Sequence, residues 1–264
     1  MNKVFTLMQK EWADAFRNRY VVYIVLLMPL IMVAIPVAVL GLGADPGIVS
    51  GMGSEVPPAL LEQPPYNELA PQEAMQAFMG QQFSLLFLIV PLAIPMTIAA
   101  YSVVGEKRER SLEPLLATPI TTAQLLAGKS LAAAAPGVLG AWLGAALYTL
   151  AVQFVVPSPQ VRAIIISGPF LVSVLVIAPL LTVLATTVGL SISSRVNDPR
   201  VAEQLGMVVI VPILALFFGQ IAGIVTFNMT VALVAVVVLA VVDLALLALA
   251  VRLFDRETIL TRWK

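Results

Sequence analysis

The side chains able to do chemistry are few, and most of them crowd into one short stretch. Between positions 105 and 119 stand Glu106, Lys107, Arg108, Glu109, Arg110 and Glu113 with signs mixed, then the apolar Leu115 and Leu116, then a stop at Pro119. The stretch is too short for a domain and too amphipathic for a plain linker. Thr121 precedes Gln124 by three residues, a capping-box spacing that starts the next helix. A short helix tied at both ends to apolar runs suits the transmission of force better than catalysis.

Other chemistries fall away by residue type. Histidine and cysteine are absent, which removes disulfides, thiol catalysis, Ser-His-Asp triads and the usual zinc ligands together. Any metal must use oxygen ligands, and none of the spacings holds a metal set. The run Leu125-Leu-Ala-Gly-Lys-Ser130 ends like a phosphate-binding loop. However, Ala123 stands where its first glycine belongs and an apolar run follows, so no glycine-rich cradle of N–H groups forms. Lys129 is expected at the inner headgroup level instead.

Asp243 is the one charged residue read as lying well inside an apolar run. A carboxylate there must face the bundle interior, a partner or water. It either meets a substrate cation or proton, or packs as a hydrogen-bonded acid. Gln153 and Gln220, with Tyr101 and Ser102, either line a polar path or make interhelical hydrogen bonds. Near the amino terminus Phe5, Met8, Trp12, Ala15 and Phe16 share one helical face beside Lys3, Lys10 and Arg17. That pattern is an interfacial helix, serving as a membrane anchor or as a dock for a partner.

The elements that must position these residues are membrane spans. Hydrophobic residues make up 60% of the chain and charged residues 11%, with a mean hydropathy of +0.98, against roughly 25% charged in a soluble domain. Six apolar runs of span length cover 20–42, 83–104, 125–156, 163–193, 206–227 and 230–253. The fold class is therefore an all-α integral membrane protein, one transmembrane domain over 1–264. The third and fourth runs exceed span length and are expected to tilt, extend into water or bend at Pro136 or Pro179. The segment 43–82 is a loop with a short helix from Pro71, whose Ala74, Met75, Phe78 and Met79 rest on the membrane surface or on the protein. Gly140 and Gly144, and Gly219 and Gly223, have the spacing of close helix contacts. Asp198-Pro199 reads as a helix cap followed by a first helical residue.

Charge sets the orientation. With the amino terminus inside, fourteen of the fifteen basic residues fall on the cytoplasmic side and only Arg162 falls outside. Both termini are then cytoplasmic, and 1–19 is a retained helix rather than a cleaved signal. The net charge of zero argues against a nucleic-acid partner.

At this point the chain resembles the permease subunits of type-2 ATP-binding-cassette exporters, in their sodium-exporter-like or multidrug-exporter-like groups. The residues that carry the likeness are Glu106, Glu109, Ser111, Leu112, Glu113, Leu115, Leu116, Thr118 and Pro119, with Gly128 and Lys129 entering the third run. The ending Leu253-Phe-Asp-Arg-Glu257 also looks familial. Arg110 departs from the pattern, since many relatives have glycine before the hydroxyl residue. The likeness spans the whole layout, and implies that 105–121, Arg108 and Arg110 included, couples to an ATPase. It further implies a cell-membrane exporter with two copies of a cytoplasmic ATPase subunit, a second permease copy as homodimer or pseudo-dimer, and surrounding lipid. ATP and magnesium would be bound by the partner, with no cofactor in this chain. The rival reading is an ion- or proton-coupled carrier using Asp243. An intramembrane enzyme lacks the paired groups it would need.

Overall fold

The computed structural model describes residues 3–42, 64–108 and 121–253. Its helices are α1 (Lys3–Arg17), α2 (Arg19–Leu42), α3 (Pro71–Leu86), α4 (Val90–Arg108), α5 (Thr122–Val155), α6 (Pro159–Ile165), α7 (Gly168–Val172), α8 (Ala178–Ser193), α9 (Pro199–Gly206), α10 (Val211–Ile221) and α11 (Met229–Leu253). Six helical runs are long and apolar enough to cross a membrane: Arg19–Gly41, Pro71–Glu106, Ala127–Val155, Pro159–Ser193, Pro199–Ile221 and Met229–Ala250. The membrane side that carries α1 is called the α1 face below.

The second run differs from its sequence-based bounds. α3, expected as a short external helix feeding the second span, continues through a 3₁₀ turn into α4 and makes with it one run of 36 residues. Its Ala74, Met75 and Phe78 are buried on the protein, beside Leu40, Val152, Val161 and Ile165. Within its most apolar window 83% is buried, against 11% for the last run. α3–α4 is thus the axis of the bundle, with α2, α5, α8 and α9 packed around α4. The fifth run begins at Pro199, earlier than expected, behind an Asp198 cap that accepts from the Arg200 N–H.

Small residues allow the helices to close on the axis. A methyl group on Gly140 would lie 2.9 Å from Ile94 Cδ1, and one on Gly189 would lie 2.9 Å from Ala99 Cβ. Gly144 faces Phe87, so the first glycine pair is a helix contact. The second is not. Gly223 has φ of 71° and closes α10, its N–H bonding Gln220 O while Ile224 N–H reaches Gly219 O. That is a Schellman stop, which needs the left-handed conformation at this position.

Prolines distort three spans in a regular way. A 3₁₀ turn at Phe87–Ile89 precedes Pro91, a π turn at Ser173–Ile177 precedes Pro179, and a 3₁₀ turn at Met207–Ile210 precedes Pro212. Each proline removes an N–H from the ladder, so the turn before it must re-pair. Carbonyls left without a backbone donor are taken up by side chains of neighbouring helices. Pro136 leaves Ala132 O free, and the Trp12 indole N–H donates to it at 2.8 Å. Pro95 frees Pro91 O, which accepts from Thr182 Oγ1 at 3.2 Å. In the π register the partner of Val174 O is Pro179, and the Trp142 indole donates there at 3.0 Å. In hydrocarbon such carbonyls have no water to turn to. α5 accordingly remains one helix across Pro136, whereas the fourth run yields at the π turn.

Candidate functional site

Among the described residues, the most densely bonded polar site lies where α1 meets the ends of α4 and α5. α1 turns its Val4, Leu7, Glu11 and Ala15 stripe inward and lies across α5, touching α2 and α4. Leu7 covers Gly128, where a methyl group would come 2.6 Å from Leu7 Cδ2. The helix docks here because a small residue on α5 admits a large one on α1.

Into that contact project two ammonium groups and two carboxylates. Lys129 Nζ is 2.8 Å from Glu11 Oε1 and 2.8 Å from Glu106 Oε2. Lys10 Nζ reaches Glu106 Oε1 at 2.6 Å and also lies 3.5 Å from Asp14. Ser102 Oγ donates to Glu11 Oε2 at 2.5 Å and accepts from Lys129 Nζ at 2.9 Å. Glu11, Glu106 and Lys129 are all buried. Burial pushes the Glu11 carboxyl up, but the charge and hydrogen bond of Lys129, with Ser102 and Lys10, outweigh it and hold the group below its ordinary value. Burial likewise pulls Lys10 down, and the hydrogen bond and charge of Glu106, with Glu11 and Asp14, hold it above its ordinary value.

Several sequence-based placements change here. Lys129, expected at the headgroup level, is buried between helices because two carboxylates neutralise it. Its segment lies inside α5, a helix rather than a phosphate loop. Ser102 belongs to the ionic junction. On α1, Phe5 and Phe16 are exposed while Met8 and Trp12 are half-buried, so the helix presents an ionic stripe to the bundle and only part of its aromatic face outward. Glu106, assigned to coupling, binds within the chain. Glu109, Arg110, Ser111, Leu112, Glu113, Leu115, Leu116, Thr118 and Pro119 lie outside the described residues. At the far end of that segment Thr121 and Gln124 form the expected capping box.

Asp243 is 4% exposed, and neither carboxylate oxygen finds a hydrogen bond among the described residues. It shares the inward stripe of α11 with Ala232, Val236 and Leu239, against α8. Gln220 is buried with its Oε1 unpartnered among those residues. Gln153 is exposed near the end of α5 and accepts from Arg162 Nη1 at 3.1 Å, a surface pair rather than part of a buried path.

Sequence reasoning missed Glu203. It is 7% exposed, accepts from Thr97 Oγ1 at 2.6 Å and from the Tyr20 hydroxyl at 3.3 Å, and so joins α9, α4 and α2. The signal was present in its spacing. In α9 the inward residues are Pro199, Ala202, Glu203 and Gly206, a buried helical stripe with an acid in it.

Six apolar helices around one buried axis, with ionic groups gathered at one face, define a multi-pass integral membrane protein. The family model described as ABC-2 family transporter protein matches residues 5–235, and the chain belongs to that family. Membership implies a membrane permease subunit of the kind that works with an ATPase subunit. No curated protein gave a match.

Proposed function

We propose that this chain is the permease of an exporter driven by ATP hydrolysis on a separate cytoplasmic subunit. The observation that carries the reading is the placement of Glu106 and Lys129 on either side of the segment 109–120, with α1 bonded to both. A displacement of that segment by a partner moves α1, α4 and α5 as one body, since separating them would strand buried charges. The α1 face carries Lys3, Lys10, Arg17, Arg19, Lys129, Arg195 and Arg200, and Arg162 is on the opposite side. That distribution supports a cytoplasmic α1 face with both termini inside.

In this reading two ATPase copies bind two permease copies, and ATP binding closes the ATPase pair. The closure changes access to a path between the permeases only to the extent that the ATPase binds the two states with different free energy. Co-purification of the chain with an ATPase, and loss of ATP-driven transport on charge reversal at Glu109 and Glu113, test it. Failure to bring down any ATPase, or unchanged transport in the reversed variant, overturns it.

One observation favours a second reading. The Asp243 carboxylate, which has no hydrogen-bond partner among the described residues, suits an ion- or proton-coupled carrier. Transport by the purified chain without ATP, abolished by Asp243→Asn, would replace the first reading with this one.

A further inference from the structure

Two glutamine side chains are buried with polar atoms that form no hydrogen bond among the described residues: Gln82 through both Nε2 and Oε1, and Gln220 through Oε1. Between apolar helices no bulk water reaches such groups, and each needs a partner.

The packing brings the two amides level. α10 packs on α3, and their runs are antiparallel, being the second and fifth of six. Gly206 rests on the Met96 side chain and Glu203 bonds Thr97, which fixes the register. Gln220 lies fourteen residues beyond Gly206 and Gln82 lies fourteen before Met96, with one 3₁₀ turn in each stretch. Each glutamine also shares the inward stripe of its helix. Gln82 continues the line of Leu85 and Ile89, Gln220 continues that of Ile213, and these three aliphatic residues pack in one cluster.

The Gln82 amide N–H groups and the Gln220 oxygen are donor and acceptor, yet no bond joins them. A third polar group that accepts from one amide and donates to the other satisfies both. Its charge is set by the surroundings. α10 carries no charged residue, and α3 carries only Glu73, about two and a half turns from Gln82. Asp243 lies about 20 Å along α11 from Met229, which packs on Gly168 at the end away from the α1 face. An ion between the amides would have no counter-charge, whereas a neutral group needs none.

We propose that Gln82 and Gln220 form a recognition site, inside one subunit and toward the side away from α1, for an uncharged group that both donates and accepts hydrogen bonds: a hydroxyl or a carboxamide. The inference names a ligand class for the transporter reading and rests on it for its role. The same chemistry is offered by a water-borne solute and by the neutral head of a lipid-borne amphiphile.

The test uses the full chain in phosphatidylcholine nanodiscs and needs no ATPase, so a failed ATPase pull-down leaves its result standing, and the reverse also holds. The chain has no cysteine, and Phe217→Cys places one on the half-buried position a turn before Gln220 with both amides kept. Its reaction with N-ethylmaleimide requires a thiolate and therefore water. Octanamide slows that reaction about tenfold, at concentrations where octyltrimethylammonium, octanoate and methyl octanoate, an acceptor only, change it less than about twofold. Adding Gln82→Leu removes the octanamide effect. Protection by acetamide as strong as by octanamide assigns the site to a water-borne ligand, and protection by octanamide alone assigns it to a lipid-borne one. A cysteine that does not react, absence of protection by either amide, or equal protection by the ester or the cation overturns the proposal. So does unchanged protection in a folded Gln82→Leu variant, and should that variant not fold, unchanged protection with Gln220→Leu does the same.

Discussion

The Lys129 ammonium stands 2.8 Å from Glu11 Oε1, with 2% of one side chain and 4% of the other exposed. The two residues lie 118 positions apart, so their pairing fixes the tertiary position of α1 rather than any local turn. Replacing Lys129 by Met keeps the length of the side chain and leaves Glu11 and Glu106 buried without their shared cation. The expected cost is about 3–5 kcal/mol, read as a lower melting temperature in detergent. Lys129→Met combined with Glu11→Gln loses less than the sum of the two single changes, because the second removes the charge that the first strands. Additive losses would mean that the two groups do not interact.

The pH dependence of stability follows from the same junction. Glu11 is held below its ordinary 4.5 and Lys10 above its ordinary 10.5. The Glu11 contribution is complete above 4.5 and is lost as pH falls through its lower folded value. The Lys10 contribution is complete below 10.5 and is lost as pH rises through its higher folded value. Melting temperature should therefore be flat with respect to this pair across the neutral range and fall at both extremes. Glu11→Gln flattens the acid limb while the alkaline limb stays. An unchanged acid limb in that variant would place the titration elsewhere.

The spans were legible because the signal is local. An apolar run of about 20 residues reports itself, and the Thr121–Gln124 cap and the Asp198-Pro199 start need only neighbours in sequence. The buried charges were not legible for the opposite reason. Glu11 reads as a polar residue on a surface helix until α5 supplies Lys129, and Glu203 needs Thr97 from 106 positions away. A weaker signal existed in both cases: each acid occupies the apolar stripe of its own helix, between Leu7 and Ala15 in one and between Ala202 and Gly206 in the other. The second run starts at Pro71 rather than at 83 because the polar residues of 71–82 interrupt the apolar signal in sequence, although Gln76 and Gln82 are buried.

Gly140 and Gly219, the first members of two glycine pairs alike in sequence, should respond oppositely to substitution. Gly140→Ala places a methyl group 2.9 Å from Ile94 Cδ1 and should destabilise by about 1–3 kcal/mol through overpacking. Gly219→Ala meets nothing closer than Val225 Cγ2 at 3.7 Å and should be neutral or gain up to about 1 kcal/mol of helix propensity. Gly223→Ala forces a side chain into the left-handed region and should cost about 1–2 kcal/mol. Thermal melts of the three variants decide it, and a large loss at Gly219 would restore the second pair as a packing contact.

The bond from Trp12 to Ala132 O makes α1 part of the backbone accounting of α5. Pro136 cannot donate to that carbonyl, and the indole does so in its place at 2.8 Å. Trp12→Phe keeps an aromatic ring and removes the donor, leaving a carbonyl in apolar surroundings at a cost of about 1–3 kcal/mol. Pro136→Ala restores the backbone N–H, so in that background Trp12→Phe should lose markedly less. The double-mutant cycle measures this coupling directly. If the two changes prove additive, the indole is only filling space and the carbonyl is satisfied by other means. A coupled result would tie the docking of α1 to a proline on α5, seven residues beyond the lysine that binds it ionically. The same helix would then be held at two points by different forces, which is what a lever moved by a partner at residues 109–120 requires.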